Sequence, residues 1–208
     1  MKYAFLTFFL FSLLLTSCVT PPVKSYETVK DEFAMRAEIV KYARSLLGRK
    51  YLSSENGNFR NDCSGFVLGV YDTLGYEFEL IHNTRSNQVS QVLYETLSKY
   101  GLIYSGSSPG RADVVFFKGT TVRSGDSISH VGVVDDILND GTKLILNYTS
   151  RGVTELRMNL DTPRVHKDES GTVKNDFLKK KSGLAENEKL LAGELFFCFG
   201  DLLKYAAL

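Results

Sequence analysis

In 208 residues the chain has no tryptophan and only three cysteines, three histidines and four prolines, and these scarcities narrow what it can be. Three cysteines do not make the disulfide framework that holds many small exported domains together. The histidines stand far apart at 82, 130 and 166, with no Cys-x-x-Cys or His-x-x-x-His spacing, so a metal site is not expected. Neither a phosphate-cradling glycine loop nor a dinucleotide fingerprint is present, and no cofactor is expected. A surplus of one charge is missing too. The 25 basic and 24 acidic residues leave a net +1, too weak a field to gather nucleic acid. Also absent is a long apolar run: the stretch 4–15 is about a dozen residues, short of the roughly 20 that span a bilayer.

What is there begins with a targeting pattern. Lys2 gives a positive start, the apolar run follows, and Thr16-Ser17 supplies small residues, so 1–17 reads as a signal peptide. The junction Leu15-Thr16-Ser17-Cys18 resembles the bacterial lipobox. That resemblance implies cleavage before Cys18, acylation of its thiol (palmitate among the acyl groups) and a membrane anchor; the alternative is an ordinary signal peptide with an incidental Cys18. Residues 18–30 contain Pro21-Pro22 and mostly polar residues and read as an extended tether. The remainder, 31–208, is long enough for one domain with its own core.

Within that domain, apolar residues at helical spacing predict a helix over 31–47, closed by Gly48. Residues 51–61 are a loop. Asp62 stands at an N-cap position before a second helix over 63–74, closed by Gly75, and a third covers 85–100 with Val89, Val92, Leu93 and Leu97 inward. The period then changes. Short β-branched and aromatic segments at 113–117, 129–134, 143–148 and 153–158 read as strands, with Asn139-Asp140-Gly141 as a hairpin turn. The charged stretch 161–193 reads as a partly helical insertion with a solvated lysine run at 179–181, and 194–199 as a closing strand. Helices first and an antiparallel meander after them make an α+β fold.

The chemistry starts at Cys63. A cysteine at a helix N-terminus has its thiolate stabilised by the dipole and by unpaired N–H groups, which lowers its pKa and offers an oxyanion site. His130, at the start of a strand in the sheet that must pack on that helix, is the candidate base. Asn147 lies 17 residues further with one turn between, so it can sit beside His130 and hold its other ring nitrogen. Read without each other, His130 and Asn147 would be ordinary strand residues. Asp62 reads as the helix cap. Cys198, in the apolar run 195–199, packs as a small buried hydrophobe, the alternative being a bridge to Cys63.

These residues resemble the NlpC-type family of cell-wall peptidases, papain-like cysteine enzymes that cut peptidoglycan stem peptides. Asp62-Cys63-Ser64-Gly65-Phe66-Val67 is similar to its nucleophile motif, Ser129-His130-Val131-Gly132-Val133 to its base motif, and Leu146-Asn147-Tyr148 to its third-residue segment. Residues 43–51, ending Lys50-Tyr51, resemble the helix and tyrosine that precede the nucleophile. Residues 111–117 resemble the strand before the base, with Thr84 and Gln88 between. The loop Leu52-Ser53-Ser54-Glu55-Asn56-Gly57 departs from the family's aromatic and paired glycines, and 161–193 has no counterpart.

The resemblance implies a papain-like fold with the catalytic cysteine at a helix N-terminus and Cys63, His130 and Asn147 as the triad. It places Tyr51, Ser64 and Asp62 around the oxyanion and substrate, with Tyr51 alternatively a core residue closing the first helix. The expected activity is endopeptidase cleavage of stem peptides between D-glutamate and a diamino acid through a thioester, by a monomer held in the cell envelope through Cys18. The rival readings are an amidase or acyltransferase acting on another envelope substrate, and a non-catalytic lipoprotein that keeps the fold for binding.

Overall fold

The computed structural model describes residues 26–53, 59–81, 88–106, 108–121, 123–180 and 188–208. The signal segment, Cys18, the tether as far as residue 25, His82, Thr84, Lys181 and most of the departing loop lie outside them.

Helix α1 (Tyr26–Ser45) begins inside the stretch read as a tether, because no proline or glycine after Pro22 interrupts it. Its buried stripe is Ile39, Val40, Ala43 and then Leu46, about one residue per turn or two, and Gly48 ends the segment with φ +79°. Helix α2 (Cys63–Thr73) is apolar nearly all round and lies at the centre of the molecule, with Phe66, Val67, Val70 and Tyr71 fully buried. The Tyr71 hydroxyl, which needs a partner there, donates to the Ala112 carbonyl. Helix α3 (Val89–Lys99) turns Ser90, Leu93, Thr96 and Leu97 inward, so Val89 and Val92 sit at the edge of the buried face instead of within it. The Ser90 hydroxyl reaches the Ile128 carbonyl and Thr96 bonds back to Val92, which satisfies both polar groups.

Six antiparallel strands follow: β1 (Ile103–Tyr104), β2 (Val114–Lys118), β3 (Ile128–Ile137), β4 (Lys143–Thr149), β5 (Gly152–Met158) and β6 (Phe196–Gly200). Their order is β1-β6-β2-β3-β4-β5. The meander β2 to β5 is the one the alternation predicts, with Gly141 at φ +78° in its tight turn. The last strand returns to the far side of β2. Two short helices, α4 (Ala192–Leu195) and α5 (Leu202–Ala206), flank it.

The sheet is buried on both faces. Val114, Phe116, Val131, Val133 and Leu146 meet the helices. Val115, Phe117, Val134, Ile145, Leu156 and Phe199 form a second core with Leu160, Leu178 and Leu195, so residues of the insertion cover the face that the helices leave bare. Among the described residues, helix enters that insertion only at its last two residues, 192 and 193, and two isolated bridges, Lys167 with Val173 and Phe177 with Leu191, are its only sheet pairing. Side chains hold it instead. Asn175, fully buried, accepts from the amides of Asn159 and Gly193 and donates to the carbonyls of Thr162 and Val165. Asn159 ties Asp161 and Thr162 to the β3–β4 turn. Among the described residues no helix is long and apolar enough to cross a membrane.

Candidate active site

Asp62 caps α2 as its sequence position predicts: its carboxylate accepts from the Gly65 amide at 2.7 Å and from the Ser64 hydroxyl at 2.6 Å. Arg60 closes the cluster, reaching Asp62 at 3.0 Å and Ser64 at 3.0 Å. Burial alone would raise the Asp62 carboxyl; Arg60, Ser64 and the Gly65 amide together hold it below its ordinary range. The side chains of Asp62 and Ser64 are thereby tied together at the helix start. Gly65 and Gly69 stand four apart on one face of α2, where a Cβ would fall 2.6 Å from the Arg60 carbonyl oxygen and 2.3 Å from the Phe59 ring. Without side chains there, the loop lies flat on the helix and delivers Cys63 to its first turn.

Strands β3 and β4 pair from Ile137 with Lys143 to Gly132 with Asn147 and then part, while β3 stays on β2 through His130 with Phe117 and, past a bulge, to Ile128 with Lys118. Helix α2 packs against both β3 and β4. The half-buried Cys63 thiol lies close enough to the Val131 amide, next to His130, for that amide to favour its thiolate. Gly132 makes the neighbouring pair tight: a Cβ there would meet the Ile145 methyl at 2.7 Å and the Leu146 carbonyl oxygen at 2.9 Å. His130 and Asn147 thus sit diagonally across two closely paired strands, with Nε2 of His130 3.1 Å from Oδ1 of Asn147.

Which ring nitrogen carries the proton follows from the partners. The Asn147 amide nitrogen donates to the Thr154 carbonyl at 3.1 Å, and a carbonyl can only accept. Asn147 must then turn its oxygen to His130, Nε2 must be the protonated nitrogen, and Nδ1 is left as the lone-pair site. Thr154 is a contributor that sequence reasoning missed. Its register opposite Asn147 is the signal that could have found it.

The electrostatics differ from the expectation for a helix-start cysteine. Burial raises the Cys63 thiol, and the Asp62 carboxylate adds to that, against the amides of Val131, Ser64 and Cys63 itself. Burial also pushes His130 down to about 4, partly offset by Asn147. The helix terminus is outweighed. At neutral pH the pair is thiol and neutral imidazole.

Tyr51 is 68% exposed, which removes it from the core. The Leu52 amide donates to Asn61 at 2.7 Å, and Tyr148 donates to the Lys50 carbonyl, so Tyr51 is held between the Cys63 loop and the β4–β5 hairpin. Cys198 is buried and unbridged, and burial pushes its thiol up to about 12. No group of three or more His, Cys, Asp or Glu side chains placed to hold a metal occurs among the described residues.

A groove of about 890 Å³ runs from Asn147 and Thr154 between β5 and the insertion residues Asp176–Lys180 and Leu190. It reaches the third member of the constellation and is walled by the insertion.

No family model matches the sequence, and no curated protein matches it. A solved N-acetylmuramoyl-L-alanine amidase from Staphylococcus aureus is similar with 19% identity and a TM-score of 0.34, over 57% of this chain and 36% of the amidase. This chain therefore spans about a third of that amidase's length, and at such distance the likeness carries no statement about activity.

Proposed function

We propose that the chain is a cysteine peptidase of papain-like, NlpC-type fold that hydrolyses amide bonds of peptidoglycan stem peptides, between D-glutamate and a diamino acid. Cys63 is the nucleophile, His130 the general base and Asn147 the residue that orients the base. The observation that carries the reading is the hydrogen-bonded series His130, Asn147 and the Thr154 carbonyl, with Cys63 at the start of α2 beside Val131, the residue after His130. It leaves His130 with a protonated Nε2 and a basic Nδ1, the form a general base needs.

In this mechanism the thiol proton passes from Sγ to Nδ1 of His130 as sulfur attacks the amide carbon. The resulting oxyanion lies at the first turn of α2, where the Cys63 amide and the Tyr51 hydroxyl are its donors. His130 returns the proton to the leaving amine, the C–N bond breaks, and a thioester remains on Cys63. Water, deprotonated by His130, then releases the acid. The chemistry calls on no cofactor. The lipobox-like Leu15-Thr16-Ser17-Cys18 supports export and an anchor through Cys18 beside the polymer.

The test is digestion of purified peptidoglycan by the full chain and by Cys63→Ala, read by mass spectrometry of the soluble fragments. Stem-peptide fragments released by the parent alone are the expected result. Equal fragments from both, or none from either, would sink the proposal.

A further inference from the structure

Strand β5 is the edge of the sheet, and its outer backbone groups are clamped at two points. Val153 donates to the Arg49 carbonyl at 3.0 Å and accepts from the Gly48 amide at 2.9 Å. Arg157 donates to the Asp176 carboxylate at 2.7 Å and accepts from the Asp176 amide at 3.0 Å. Alternation then puts the N–H and carbonyl of Glu155 on the same outer edge, midway between the clamps, where no partner meets them among the described residues. Unpaired edge groups inside a groove are a template for an added extended chain.

The groove is lined by charges of both signs, and Arg151 and Lys180 are the cations in it with no ion pair among the described residues. Thr154 and Leu156 point into it, while Glu155 alternates with them toward the helix side, where its carboxylate acts on Arg44. Asp176 accepts from the Arg157 amide and keeps its negative charge in the groove, and Lys179 is paired with Glu188 at 3.1 Å. Arg151 and Lys180, both exposed, supply the remaining charge at the rim. Leu178, Leu190 and the 59% exposed Phe177 add apolar wall.

We propose that this insertion-walled groove binds the carboxylate-bearing flank of an extended peptide substrate, whose main chain pairs with Glu155 and whose carboxylate pairs with Arg151 and Lys180. The inference rests on the peptidase reading for the chain's identity as substrate, since the groove ends on Asn147. Arg151 and Lys180 are specificity residues that touch the substrate away from the bond that breaks. The insertion thereby has a second use besides covering the sheet.

The experiment titrates the full chain carrying Cys63→Ala, which binds without cutting, into fluorescein-labelled L-Ala-γ-D-Glu-diaminopimelate-D-Ala and into the same peptide with its carboxylates amidated, followed by anisotropy. Arg151→Glu with Lys180→Glu is expected to weaken the acidic peptide about tenfold or more, because two attractions become repulsions, and to leave the amidated peptide unchanged. The neutral pair Arg151→Gln with Lys180→Gln gives an intermediate loss and guards against misfolding of the reversed pair. With Cys63 restored, the reversal raises KM and leaves kcat. Unchanged affinity for the acidic peptide, or equal loss for both peptides, overturns the groove even where the parent still cuts. Charge-dependent binding by a chain that never cuts sustains the groove and overturns the peptidase reading instead.

Discussion

His130→Ala lowers the rate of peptidoglycan hydrolysis by about 10²- to 10⁴-fold, the range that a positioned general base contributes. The loss is large because the Cys63 thiol is raised by burial and cannot supply thiolate unaided at neutral pH. The same electrostatics set the pH profile. His130 is held down to about 4, so it stays a neutral base as pH falls through the range where an ordinary imidazole, near 6.5, would be protonated. Activity is therefore retained to about pH 5 and lost around pH 4. Alkylation of Cys63 by iodoacetamide rises with pH toward and beyond 9, without the plateau between two pKa values that a preformed thiolate–imidazolium pair gives. Asn147→Ala costs less, at the lower end of the range, and moves the acid limb lower still, since the Asn147 hydrogen bond favours the protonated ring. Initial rates of hydrolysis across pH 3–9 for the parent and the two variants, with alkylation rates of the parent over the same range, check these statements. A plateau in alkylation from pH 5 to 8 contradicts the neutral-pair account.

Arg36→Met destabilises the fold by about 3–5 kcal/mol, the cost of breaking a buried ion pair from one side. The Arg36 side chain is 14% exposed and joins three parts of the molecule. It donates to the Arg111 carbonyl at 2.8 Å, to Asp113 at 2.7 Å and to Asp201 at 3.0 Å, with Glu32 one turn away on α1 at 3.1 Å. Asp113, buried at the head of β2, keeps the Tyr104 hydroxyl and the Gly110 amide as donors but loses its counter-charge. Burial already raises Asp113 despite Arg36, and removing the guanidinium raises it further. A carboxyl whose folded pKa lies above its unfolded one gives stability that is present below about pH 4 and lost as pH rises through the folded value. The deficit of Arg36→Met is therefore smaller at pH 4 than at pH 7, and adding Asp113→Asn recovers part of it at pH 7. Urea unfolding of the three proteins at both pH values measures this.

The helix start at Cys63 was legible because its signals are local: an aspartate at the cap, an apolar run and a closing glycine. The nearness of His130 and Asn147 was legible for a similar reason, since one tight turn between two strands determines which residues face each other. The return of β6 beside β2 was not, because an apolar segment with no turn after β5 carries no address. Before α4 the described part of the insertion is irregular, because Asn159 and Asn175 hold it through side-chain bonds to backbone, a pattern with no period to detect. The sign of the Cys63 shift was beyond the sequence as well. A helix terminus lowers a thiol and burial raises it, and only the packing of α2 against β3 decides which is larger.

The central claim is that Cys63 forms a covalent acyl intermediate. Its most direct test is to mix the full chain with soluble stem peptide, quench in acid within the first turnovers and weigh the intact protein, then locate the added mass by peptide mapping. A thioester adduct on the peptide containing Cys63, absent from Cys63→Ala and released by hydroxylamine, is the predicted result. Turnover of the peptide with no adduct on Cys63 at any quench time, and with Cys63→Ala as active as the parent, contradicts it.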